Sequence, residues 1–83
     1  MAQYIFYITP TSKFAVCKEE YWREHQCLDD QFDKELSTRM KGMGFVEVGT
    51  NLFACPDLVS VEDGKKLLIE NGFTLHFQVP CHP

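Results

Sequence analysis

Tyr4-Ile5-Phe6-Tyr7-Ile8 is aromatic or β-branched at every position and is closed by Pro10, which predicts a strand with both faces covered or nearly so. Lys13 to Cys17 is a shorter strand-like run behind the turn residues Thr9-Pro10-Thr11-Ser12, and it can pair with the first strand as a hairpin. From Leu28 the pattern changes period. Leu28, Phe32, Leu36 and Met40 recur at helical spacing, and Asp29 and Asp30 put negative charge at the positive end of the helix dipole, so a helix is expected from Leu28 to near Lys41. Gly42 and Gly44 end it. Phe45-Val46-Glu47-Val48, the turn Gly49-Thr50-Asn51, and Leu52-Phe53-Ala54-Cys55 then read as a second hairpin, closed by Pro56.

Ser60 followed by Asp63 resembles a capping box with Asp in the place of Glu, and Val61, Gly64, Leu67 and Leu68 supply a narrow apolar stripe behind it. A helix from about Val61 to Asn71 follows, and Gly72 suits the left-handed residue that ends it, with Phe73 able to fold back on Leu68 or Ile69. Phe73, Leu75, Phe77 and Val79 alternate with Thr74, His76 and Gln78, which predicts a half-buried last strand. The two halves of the chain echo each other, since each has a helix, a Gly-Phe pair (Gly44-Phe45, Gly72-Phe73) and a strand.

This order predicts an α+β two-layer sandwich on the split βαβ, or ferredoxin-like, plan βαββαβ, with the first and last strands side by side and antiparallel. Thr9 to Cys27 is too long for an ordinary connection, so it is read as an insertion, an extra hairpin or an extension of the first helix. Residues 1–83 form one domain, because a chain of this length cannot build a second core, and 79–83 read as a flexible tail. Composition agrees with a folded chain, at 45% hydrophobic and 24% charged residues.

Twelve acidic against eight basic side chains give a formal charge of -4, the wrong sign for attraction to phosphate backbones or anionic lipid, so neither nucleic acid nor membrane is an expected partner. Tyr4 to Ile8 is too short to span a bilayer and lacks the basic flank and cleavage site of a signal peptide, which leads to a cytoplasmic reading. In that compartment Cys17, Cys27, Cys55 and Cys81 are expected as reduced thiols.

Several constellations could carry chemistry. Cys17, His25, Cys27, Cys55, His76, Cys81 and His82 are zinc-type ligands, but the chain has no CxxC and His25-x-Cys27 is not a usual structural-zinc spacing, so no metal or cofactor is assigned. Cys27, beside His25 and ahead of a helix start, is a candidate nucleophilic thiol, set against the ordinary fate of cysteine as a small buried hydrophobe. His76 points to the opposite side of the last strand from Leu75 and Phe77, as a solvated histidine or a binding one. Asp29, Asp30, Asp33 and Glu35 fit a solvated helix start. Trp22, in Tyr21-Trp22-Arg23, is either an interface anchor or a lid over the core. No glycine-rich phosphate loop, Ser/His/Asp order or RNA-recognition motif occurs.

The face opposite the helices carries the functional expectation. If the helices cover Tyr4, Phe6 and Ile8 with Phe73, Leu75 and Phe77, then Ile5, Tyr7, Val46 and Val48 are left needing cover, with Thr74, His76 and Gln78 beside them. A partner sheet would supply it. The leading expectation is therefore a noncatalytic binding or regulatory module that associates with a protein partner, most simply as a homodimer, through its sheet face or edge, where Ile5, Tyr7, Thr74, His76 and Gln78 lie, while Trp22 is assigned with Cys27, His25 and His76 to the pocket of the alternative. The alternative is a small-molecule-binding domain or thiol-dependent enzyme with a pocket around Cys27, His25 and His76, discriminated by whether a deep pocket joins those side chains. An acidic mimic of nucleic acid would need a denser negative surface.

Overall fold

The computed structural model describes residues 3–25 and 31–76. β1 (Tyr4–Ile8) turns back into β2 (Phe14–Lys18), which runs directly into α1 (Glu19–His25); α2 (Lys34–Gly42), β3 (Val46–Gly49), β4 (Leu52–Ala54), α3 (Val61–Glu70) and β5 (Thr74–Leu75) follow. The result is a small α+β domain with a mixed five-stranded sheet in the order β3-β4-β2-β1-β5. The stretch after the first strand is thus both an extra hairpin and an extra helix. Residues 79–83, like Cys27, Phe77 and Gln78, lie outside the described residues.

The strand directions differ from the expected plan. β1 and β5 are neighbours as anticipated, but they run parallel, with Ile5 opposite Thr74 and Phe6 opposite Leu75. The cause is the early hairpin: β2 is antiparallel to β1, so the chain enters its helices in the reverse direction and β3, β4 and β5 each run opposite to the direction the expected plan gives them, which leaves β4 and β5 parallel to β1. β2 also takes the flank of β1 on which the β3–β4 hairpin was expected.

The helix expected from Leu28 also differs. α2 begins at Lys34, where the Asp33 carboxylate accepts from the Leu36 amide at 3.1 Å and fixes the start. Phe32 falls ahead of the cap and is 62% exposed, so only Leu36 and Met40 of the apolar series reach the core among the described residues. A local cap decides the boundary that hydrophobic spacing had placed earlier.

The ends of α2 and α3 are built identically. The Phe45 amide donates to Met40 O and the Phe73 amide to Leu68 O, both at 3.0 Å, while Gly44 and Gly72 donate to Lys41 O and Ile69 O. These are the paired hydrogen bonds of the Schellman motif, and they need a left-handed residue, which glycine supplies at φ +98° and +90°. Each motif turns its phenylalanine into the same core, made by Tyr4, Phe6, Phe14, Val16, Leu36, Met40, Phe45, Phe53, Leu68 and Phe73. α3 starts at Ser60, whose hydroxyl accepts from the Asp63 amide at 3.2 Å. Its Gly64 sits so close to Phe14 and Cys55 that a Cβ would lie 3.1 Å from the phenyl ring and 3.0 Å from the sulfur.

Candidate association surface

Alternation along the strands divides the sheet into two faces. Tyr4, Phe6, Phe14 and Val16 point toward α2 and α3; Ile5, Tyr7, Ala15 and Cys17 point the other way into a second buried cluster with Trp22. Ile5 and Tyr7 therefore need no partner for cover, and this corrects the expectation that they lie bare. α1 covers them. It is moored by the Glu19 amide on Gln3 O at 2.9 Å, and it places the Trp22 indole 6.0 Å from the Tyr7 ring and 5.8 Å, edge-on, from the His76 ring. Trp22 is 4% exposed, so of its two readings the structure takes the lid. The expected sandwich gains a partial third layer there.

Of the residues singled out in the sequence, Ile5, Tyr7, Trp22 and His76 come together in this one layer. The His76 amide donates to Phe6 O at 2.8 Å, and Thr74 is exposed in register with Ile5. His25 lies apart from that layer. It is exposed at the end of α1 and stacks on Tyr21 at 4.2 Å with its ring tilted by 8°. Cys27 and Gln78 fall outside the described residues. An open depression of about 230 Å³ adjoins the start of α1, lined by Lys18, Glu20, Tyr21 and Glu24, and includes neither His25, Trp22 nor His76. That depression does not join His25, Trp22 and His76, and Cys27, on which the ligand-binding alternative also depends, lies outside the described residues; among the described residues no group of three or more His, Cys, Asp or Glu is placed to hold a metal. No described helix is long and apolar enough to cross a membrane.

A different part of the second face stays open. One helix is about 10 Å wide with its side chains, whereas five strands at about 4.8 Å spacing span roughly 20 Å, so α1 covers only the middle of the sheet. β3 lies outside it, while Leu52 of β4 reaches back against the cluster beneath α1. Glu47 is paired with Phe53 and so belongs to the face of the main core, where Ser37 Oγ donates to it at 3.3 Å and Lys41 Nζ sits at 3.5 Å. Its neighbours Val46 and Val48 face the other way and are 51% and 48% exposed, beside half-buried Leu52 and Ala54. The sequence pointed to Val46 and Val48 as needing cover; it missed Leu52 and Ala54, whose place in the strip follows only from strand order.

Among the described residues two titrations are displaced. The Tyr4 hydroxyl is pushed up to about 12, first by burial and then by the Asp33 carboxylate, to which it donates at 3.3 Å. Burial also pushes the Cys55 thiol up, against the opposing pull of Lys13. Neither group lies on the open strip, which is apolar and uncharged. No protein family, curated protein or solved structure matches this chain.

Proposed function

We propose that this chain is a small noncatalytic association module of the cytoplasm, which self-associates through the part of its second sheet face that α1 leaves open. The observation that carries the reading is the half-exposure of Val46 and Val48 on an end strand of the sheet. Apolar side chains grouped at a free sheet edge are stabilised by a partner surface rather than by water. The strip has no acid, base or nucleophile in it, so binding is the chemistry available to it.

The strand order supports the same reading. Apart from β1, the succession β2–α2–β3–β4–α3–β5 reads as a split βαβ unit that starts one strand later than the sequence suggests, with β1 laid between its first and last strands. In that arrangement β3 is an end of the sheet, with no further strand paired to its outer side among the described residues.

Light scattering over a concentration series tests the proposal. The native chain is expected to move from monomer toward dimer mass in the micromolar range, and a Val46→Lys/Val48→Lys variant is expected to stay monomeric with unchanged circular dichroism. A native chain that remains a monomer throughout contradicts self-association.

A further inference from the structure

Resting on that reading, we infer that the partner segment is β3 of a second copy, added antiparallel so that two five-stranded sheets become one. β3 ends the sheet among the described residues; its sequence, Val46-Glu47-Val48-Gly49, carries neither lysine nor proline, and its guards against pairing are its short length, the bulge after Glu47 and the inward-facing Glu47 carboxylate. At the other end, β5 has Thr74 and Leu75 in strand geometry among the described residues. An isologous contact must be self-complementary about a two-fold axis, and β3 meets that demand when the axis passes through Glu47. Val46 of each copy then stands opposite Val48 of the other. The four valines share the open face, directly beside Leu52 and Ala54 of each copy.

Charge decides whether this register is tolerable, because it also sets Glu47 opposite Glu47 on the helix-covered face. Like charges directly opposite oppose pairing. Here each carboxylate already holds its own Lys41 ammonium at 3.5 Å and the Ser37 hydroxyl at 3.3 Å, so the seam contains two carboxylates and two ammoniums and is neutral. An unrelated extended peptide could use the same edge, but a second copy alone brings both the matching valines and the compensating lysines. The bulge between Glu47 and Gly49 limits the pairing to the few residues before the turn, which fits a weak, concentration-dependent contact rather than an obligate one.

A residue on the axis can be linked to itself, since directly opposed strand residues fall within the separation that a disulfide spans. A Glu47→Cys variant is oxidised in air at hundred-micromolar concentration and its cross-linked peptides are mapped by mass spectrometry, with Thr74→Cys on β5 as the control. The expected result is a shift to dimer mass on a non-reducing gel, with a 47-to-47 link in the first variant and no 74-to-74 link in the second. Should Glu47→Cys fold poorly, a mixture of Val46→Cys and Val48→Cys chains is expected to give a 46-to-48 link. A native dimer without either link overturns edge pairing and leaves association through the strip standing. A native chain that stays monomeric overturns both.

Discussion

The indole of Trp22 lies 6.0 Å from the ring of Tyr7, and this contact closes the second face of the sheet from within the chain. α1 is only seven residues long and buries a single side chain, so the whole helix is held in place largely through Trp22. Isolated helices of that length do not persist in water; packing must supply their stability. Trp22→Ala is expected to cost about 3–5 kcal/mol, the range for emptying a buried aromatic site. Urea denaturation followed by circular dichroism measures it, and a loss under 1 kcal/mol, the size of an ordinary surface substitution, contradicts the lid role.

Alkaline pH gives a second prediction. The folded Tyr4 hydroxyl ionises near 12 against about 10 when unfolded, so the folded state binds the proton more tightly. The stability this contributes is fully present below about pH 10 and is lost as pH rises toward 12. Tyr4→Phe removes that component. Thermal melts between neutral pH and pH 11 should fall less steeply for the variant than for the native chain; equal slopes refute the assignment.

Gly64 makes a prediction opposite to helix propensity. Ala is the better helix former by about 1 kcal/mol, yet a methyl group here meets the buried Phe14 ring at 3.1 Å and the Cys55 sulfur at 3.0 Å. Overpacking of this kind costs typically about 1–3 kcal/mol, so Gly64→Ala is expected to lower the melting temperature. A higher melting temperature means that α3 can shift away from β2 at little cost.

Cys55 should be a slow thiol. Burial raises its ionisation range, and its Sγ is turned toward Ser60 O at 3.6 Å, so less thiolate is present at a given pH. Alkylation by iodoacetamide at mildly alkaline pH, read on the peptide that carries Cys55, is expected to run slower in the folded protein than in urea. Equal rates indicate a thiol as open as one in an unfolded chain.

How far the sequence discloses this arrangement depends on how local the controlling interaction is. The Gly72-Phe73 cap was readable because a left-handed C-terminal residue and the apolar residue after it are consecutive, and it forms as expected; Gly44-Phe45, read only as a stop and an echo, forms the same motif. The Ser60 cap and the β3–β4 hairpin were readable for the same reason, with Asn51 taking the left-handed turn position at φ 55°. The start of α2 was misplaced because Leu28 and Phe32 continue an apolar period that the Asp33 cap interrupts. Strand alternation correctly separated Ile5 and Tyr7 from Tyr4 and Phe6. It could not show that Trp22 would cover the former pair, because one buried residue in seven gives no periodic signal. The parallel direction of β5 beside β1 was hidden likewise, since it follows from how the early hairpin docks and not from any residue in β5.

The central claim is that the second face is sealed over β1 and β2 but open over β3, and that copies meet at the open part. Methyl chemical shifts recorded by NMR across a dilution series test both halves at once. The account predicts that the methyls of Val46 and Val48 move with concentration while that of Ile5 and the ring protons of Tyr7 stay fixed. Movement at Ile5 and Tyr7 with Val46 and Val48 unchanged would contradict it.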